Sequence, residues 1–341
     1  MKLGAMLGYW GALPPTGAAD LVRTAEQLGY DSVWTAEAYG SDALTPLAWW
    51  GSQTTRIKLG TDIVQMAART PAATAMAAIT LDHLSGGRFI LGLGASGPQV
   101  VEGWYGQPYP RPLERTREYV DIVRKVIERE RPLTHSGVHY QLPLQGGTGL
   151  GKPVKSIVHP LRRDLPIYLA AEGPKNVALA AEIADGWLAL FYSPSAAPFY
   201  SACLDEGFSR TGARRSASDF DVAVLVPTIL GDDIEACAAA YKPTLALYMG
   251  GMGASSMNFH YDVFCRMGYQ DVADKVQALY LEGRKEEAIA AIPTKLVEET
   301  ALIGPREKVR DDLARWSETR MTTMLVSGNA ATLRTMAELV L

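Results

Sequence analysis

The sequence predicts a (β/α)8 TIM barrel with excursions, and three observations carry that prediction. Eight apolar runs recur along the 341 residues, each is followed by sequence of helical period, and the runs are continuously apolar. Strands buried on both faces of a parallel sheet have that character, whereas half-exposed strands alternate. The length exceeds the roughly 100–200 residues of an ordinary domain and suits one barrel, so residues 1–341 read as a single domain. A doubly wound open sheet is the alternative that pattern alone leaves standing.

The first run, Lys2–Trp10, leads into a helical pattern (Leu21, Val22, Ala25, Leu28) that stops at Gly29, and the run Ser32–Ala38 completes a βαβ unit. A helix near Leu44–Gln53, a strand at Ile57–Gln65, a helix near Ala72–Leu84 and a strand at Phe89–Ser96 continue the rhythm, followed by a charged helix over Leu113–Glu130. Residues 132–164 carry Pro143, Gly146, Gly147, Gly149, Gly151, Pro153 and Pro160 with little apolar period, and read as an excursion. The alternation resumes with Pro166–Ala171, a helix at Lys175–Ala184, Trp187–Tyr192, a helix around Ala197–Gly207, and Phe220–Ile229. A second excursion, mostly helical, covers about 232–293, and helical pattern persists to Trp316. Thr323–Ser327 and a short helix to Leu341 finish the count.

The charge balance, 33 Lys+Arg against 37 Asp+Glu, gives −4. No broad positive field exists to attract a phosphate backbone or an anionic membrane. Cys203, Cys237 and Cys265 are odd in number and far apart, which points to neither a disulfide framework nor a zinc site. The apolar run at the start is too short for a secretory signal, and no stretch of 18 apolar residues occurs. The expectation is a cytoplasmic protein acting on a small molecule, without nucleic acid, membrane or metal.

Barrel chemistry lies at the C-terminal ends of the strands and in the loops that follow. Gly92–Pro98 is glycine-rich at such an end, where backbone can approach a flat ring or phosphate closely; it also reads as a plain tight turn. It is no Rossmann fingerprint, because it lies outside the first βα turn and Pro98 follows the last glycine. Glu172-Gly173-Pro174-Lys175-Asn176 joins a strand to a helix with Pro174 at the first helical position, a ready anion site or an ordinary junction. Glu37 ends a strand and is not needed as a helix cap, since Ser41 or Asp42 can serve. His83 reads as structural, His135, His139 and His159 fall in the first excursion, and His260 sits in the aromatic stretch Phe259–Phe264, which equally suits packing. No GxSxG elbow is present. Arg162-Arg163 with Lys152, Lys155 and Lys175 forms a basic stretch that would hold an anionic tail if it folded over the phosphate end.

Gly87-Arg88-Phe89-Ile90-Leu91-Gly92-Leu93-Gly94-Ala95-Ser96-Gly97-Pro98-Gln99-Val100-Val101-Glu102-Gly103-Trp104 resembles the fourth-strand signature of the deazaflavin-dependent branch of the luciferase-like monooxygenase superfamily. Asp31–Asp42, Gly173-Pro174-Lys175-Asn176 with Ala184-Asp185-Gly186-Trp187, and Gly304–Val309 extend the likeness over nearly the whole chain. The resemblance implies a bacterial luciferase-like barrel, a homodimer, and coenzyme F420 in the open mouth. It also implies a non-proline cis peptide at Asp62-Ile63, under the ring, where relatives often carry glycine first.

By the same resemblance Glu37 contacts the ring or its side chain, and Ala95, Ser96, Gly97 and Pro98 line the ring edge and ribityl chain. Glu172, Gly173, Pro174, Lys175 and Asn176 surround the phosphate. The sugar-phosphate dehydrogenase branch has histidine after the second-strand acid and glutamate after the fourth-strand Ser/Thr-Gly pair; this chain has Ala38 and Pro98. That role is therefore rejected. The expected reaction is hydride transfer between carbon 5 of the deazaflavin and an organic substrate, as in methylenetetrahydromethanopterin reductases, with Tyr39, Glu102 or His260 as the proton source. The alternatives are an FMN-dependent monooxygenase on the same fold and a barrel that binds the cofactor without catalysis.

Overall fold

The computed structural model describes residues 1–253 and 257–341. Strands β1 (Lys2–Gly8), β2 (Ser32–Thr35), β3 (Lys58–Thr61), β4 (Phe89–Gly94), β5 (Ile167–Ala170), β6 (Gly186–Ala189), β7 (Asp221–Leu230) and β8 (Thr323–Ser327) run parallel, each bonded to the next. Pairing of β8 with β1, from Lys2↔Thr323 to Met6↔Ser327, closes the ring, and the short strand Leu302–Gly304 adds on outside it along Thr228–Leu230 of β7. The open-sheet alternative is thereby excluded.

Period-2 alternation divides the strand side chains between two cores. Trp34, Ile90, Tyr168, Leu188, Ala223 and Leu325 fill the barrel. Their neighbours Val33, Leu91, Ile167, Trp187, Val224 and Val326 face outward into the layer covered by helices. Those helices are α1 (Ala18–Gln27), α2 (Leu44–Gly51), α3 (Pro71–Leu84), α4 (Pro112–Glu128), α5 (Pro174–Ile183), α6 (Ala197–Phe208), α7 (Arg306–Ser317) and α8 (Ala330–Val340). Local chemistry sets several starts: Asp42 Oδ1 accepts from the N–H groups of Leu44 and Thr45 at 2.9 and 2.7 Å, Thr70 caps α3 ahead of Pro71, and Asn329 caps α8.

The two excursions sit at opposite ends, for a topological reason. Residues 132–164 connect a helix to a strand and so lie at the N-terminal face. Their hairpin, His135–Ser136 with Gln141–Leu142, is held to α4 by Glu118, which accepts from the N–H groups of Val138, His139 and Tyr140. Arg162 is bound there by Asp82, at the end of α3, and by the carbonyl of Phe89, at the start of β4. Arg162 thus does not fold over the opposite, C-terminal end, and the anionic-tail expectation for it is corrected. Residues 232–293 connect a strand to a helix and so rise over the C-terminal mouth. They build a core of their own, with Tyr241, Leu245, Met249, Phe264 and Val276, that meets the barrel through Phe191 and Ile303.

Candidate functional site at the barrel mouth

The floor of the mouth is shaped where β3 leaves its ladder. Leu59 and Gly60 pair with Phe89 and Ile90, the chain bulges at Asp62-Ile63, and Val64 and Gln65 rejoin opposite Leu93 and Gly94. The Asp62-Ile63 peptide is cis. Across the gap the Thr61 hydroxyl accepts from the Gly92 N–H at 2.8 Å and donates to the Gly92 carbonyl at 2.9 Å, replacing the lost backbone bonds. Residue 92 must be glycine, because a Cβ there would lie 1.7 Å from the Thr61 carbonyl oxygen. The Asp62 N–H donates to the Thr35 carbonyl at 2.7 Å, and the Glu37 N–H donates to the Ile63 carbonyl at 3.1 Å. Ile63 packs with the barrel-filling residues and against Gly94. Asp62 is half-buried, and burial pushes its carboxyl up to about 7.

Glu37, two residues beyond β2, is 7% exposed, and both of its carboxylate oxygens accept from Arg69 Nη1 at 2.8 Å. Gln65 Nε2 donates to the carbonyls of Glu37 and Ala38 at 3.1 Å each, while its Oε1 is buried without a partner among the described residues. At the end of β4, Ala95, Ser96 and Gly97 lead to Pro98, which opens the helical turn Pro98–Val101. Ser96 has φ +58°, and the Tyr109 hydroxyl donates to its carbonyl at 3.0 Å. Such a backbone in a non-glycine residue persists only where its surroundings impose it, and sites are where that happens. Burial pushes the Tyr109 phenol up to about 12. Phe191, just beyond β6, also has positive φ, +53°.

Beyond β5, Gly173 stands at the N-cap of α5 and supplies no side chain; Pro174 has no N–H and the Asn176 and Val177 N–H groups go to the Gly173 carbonyl, so among the described residues the Lys175 N–H is the helical donor left open to an outside acceptor. A Cβ on Gly173 would meet nothing within 4 Å. Asn176 begins the helix with its N–H on the Gly173 carbonyl, and Pro174 is exposed. Lys175 is exposed, and its side chain lines an outer groove with Glu114, Arg117, Glu206 and Arg210.

The roof supplies His260. Asn258 caps its helix, Phe259–Arg266, by accepting from the N–H groups of His260 and Tyr261, and donates to the carbonyls of Tyr248 and Met249. The imidazole lies edge-on to Tyr248 and Phe191, at centroid distances of 4.7 and 5.9 Å. Its Nδ1 is 2.7 Å from Glu172 Oε1, while Glu172 Oε2 is buried without a partner among the described residues. A carboxylate acceptor makes Nδ1 the donor and leaves Nε2 as the exchangeable nitrogen. Tyr39 is 53% exposed, Glu102 is exposed, and among the described residues neither side chain makes a hydrogen bond.

The structure thus unites Glu172 with His260, and Asp62-Ile63 with the ends of β2 and β4; Tyr39 and Glu102 stand on the rim. Sequence reasoning missed Arg69, Tyr109, Tyr248 and Phe191. Arg69 belongs to the connection after β3, and extending the search from Gln65 along that connection reaches it.

A closed parallel barrel with an uncapped helix start and a half-buried acid–imidazole pair at its C-terminal mouth has the architecture of a (β/α)8 enzyme. The sequence pattern of the luciferase-like monooxygenase family matches residues 3–323, and the chain belongs to that family. It is 60% identical to a Mycobacterium tuberculosis protein provisionally named a coenzyme F420-dependent oxidoreductase, over 100% of this chain and 99% of the relative. It is 30% identical to the 5,10-methylenetetrahydromethanopterin reductase of Archaeoglobus fulgidus, over 70% of this chain and 68% of that protein. The structure of the coenzyme F420-dependent tetrahydromethanopterin reductase from Methanopyrus kandleri superposes with a TM-score of 0.82 at 23% identity, covering 99% and 98% of the two chains.

Proposed function

We propose that this protein is a coenzyme F420-dependent oxidoreductase that moves a hydride between carbon 5 of the deazaflavin and a small organic substrate in the barrel mouth. The observation that carries the reading is the adjacency of Glu172 and Gly173: one residue holds the His260 imidazole at 2.7 Å, and the next opens an uncapped helix start. An anion-binding end and a proton-handling pair are therefore side by side. The full-length relative at 60% identity supports the same cofactor.

The residues present fit a deazaflavin nucleotide. The direction of a Gly173 Cβ is open, so phosphate can reach the α5 backbone, with Pro174, Lys175 and Asn176 completing that turn. Ile63 and Gly94 give a close-packed floor, and Ala95, Ser96, Gly97 and Pro98 border it. The orphaned Glu172 Oε2 awaits a donor. When bound, the deazaflavin supplies the hydride chemistry. The chain's own part is alignment, exclusion of water, and movement of one proton. His260 holds that proton on Nε2, and Glu172 fixes the ring by accepting from Nδ1–H; Tyr39 and Glu102 lack any such support. Glu37 acts on the site by holding Arg69 at the mouth. A homodimer is part of the proposal, supported by Trp49, Met76 and Leu84 exposed on the adjoining helices α2 and α3, as is action in the cytoplasm.

Fluorescence titration with F420 and with FMN, each in both redox states, tests the reading. Micromolar binding of F420 with weaker or no binding of FMN is expected. Preference for FMN overturns it in favour of a flavin monooxygenase, and F420 binding without turnover on any acceptor leaves only a carrier.

A further inference from the structure

The carboxylates most buried in this chain all have partners. Glu37 has Arg69, Asp82 has Arg162, Asp185 has Arg124, Arg214 and Arg215, and Glu118 has His135 and three backbone N–H groups. A carboxyl withdrawn from water needs such partners or a proton. Asp62, half-buried on the floor of the mouth just beyond β3, has neither a cation nor a donor among the described residues, so water is its remaining partner and a group laid over the floor would remove it.

Its neighbours cannot turn to serve it. On the β2 side the Glu37 carboxylate and Arg69 are bound to each other, the Gln65 amide nitrogen is committed to two carbonyls, and the Tyr105 hydroxyl points to the Ala38 carbonyl at 3.4 Å. On the β4 side Gly94, Ala95, Ser96 and Gly97 bring no charge. On the roof His260 is given to Glu172. Nor can the backbone move Asp62 toward a partner, since bonds to Thr35 and Glu37 fix the bulge on both sides.

We propose that Asp62 is a proton-carrying residue of the cofactor site, which takes one proton from solvent as the deazaflavin enters and binds it as the neutral acid, donating the carboxyl hydrogen to a polar atom of the ring. The proposal rests on the F420 reading of the mouth. Only a proton moves, from water to the carboxylate, and no bond of the cofactor changes. Burial alone already lifts the Asp62 carboxyl to about 7, and a ring laid over the floor removes the water that remains.

Affinity for oxidised F420 is measured from pH 6 to pH 9 for the wild type, Asp62→Asn and Asp62→Ser, so that the comparison cancels the titration of the cofactor itself. The Asn variant, a permanent neutral donor, is expected to match the wild type at pH 6 and to bind about tenfold tighter at pH 8. Calorimetry at pH 8 in buffers of different ionisation enthalpy is expected to show about one proton more taken up by the wild type than by either variant. Parallel pH profiles, or equal proton uptake, overturn the proposal. Failure of the wild type to bind F420 at any pH is a separate result, and overturns the functional reading beneath it.

Discussion

Arg69 places a single guanidinium nitrogen 2.8 Å from both carboxylate oxygens of Glu37, across 32 positions of sequence. The pair bridges the end of β2 and the connection after β3, and Glu37 is almost wholly buried. Removing one partner strands the other. Glu37→Gln is expected to cost about 1–3 kcal/mol of stability, and the double variant with Arg69→Gln less than the sum of the two singles. Chemical denaturation of the four proteins checks this; strict additivity would show that the contact carries no energy.

His260 and Glu172 are expected to act as one unit. His260→Gln and Glu172→Gln should each lower kcat by about 10²-fold, and the double variant should fall no further than about threefold below the worse single. Steady-state kinetics with any working acceptor decides, since multiplying losses would separate the two roles.

Gly173 has an ordinary φ of −75° and open space where a Cβ would point, so a side chain can be introduced there without strain. Gly173→Val is expected to leave Tm within about 2 °C of the wild type while weakening F420 binding at least about tenfold, by intrusion on the helix start. Unchanged affinity would remove the phosphate from this turn.

At the other end of the barrel, Arg162 neutralises Asp82, which is 1% exposed. Arg162→Ala is expected to destabilise the protein by about 3–5 kcal/mol and leave cofactor affinity unaltered. Thermal unfolding and the F420 titration together test that division; an affinity loss without destabilisation would return Arg162 to the anionic end.

Asp62 also makes stability fall with rising pH. Burial raises its folded carboxyl to about 7 from an ordinary 3.8. Below the unfolded value both states are protonated and the group contributes nothing; as pH rises towards 7 the folded state alone keeps the proton, and the cost grows until both states are ionised. Asp62→Asn should therefore gain stability over the wild type by about 2–4 kcal/mol at pH 8 and show no gain at pH 3.5. Urea denaturation at the two pH values measures it.

The strands were legible because buried parallel strands are apolar throughout; Phe89–Gly94 and Ile167–Ala170 fall within the runs read from sequence. Their ends were less so. Periodicity extended the third strand through to Gln65, and cannot see that Thr61 and Gly92 trade a side-chain bond for backbone ones where the ladder opens. The site was legible in pieces, each a strand end, and illegible in its pairings. Glu172 and His260 are 88 residues apart, and nothing local in Phe259–Phe264 reveals that its histidine meets a β5 carboxylate. Arg69 was invisible for the same reason, as long-range ion pairs leave no periodic trace. The excursions had no apparent place until the barrel gave them one, through the rule that strand-to-helix links lie at the mouth.

The roof over the mouth is one continuous stretch of chain with its own hydrophobic interior, fastened to the barrel by side chains at a few points, among them His260 on Glu172 and the flank of Phe191. Its interior is packed apart from the cores of the barrel, so a substitution on its inner surface reshapes the wall of the mouth while the ring of strands beneath and the turn at Gly173 keep their own packing.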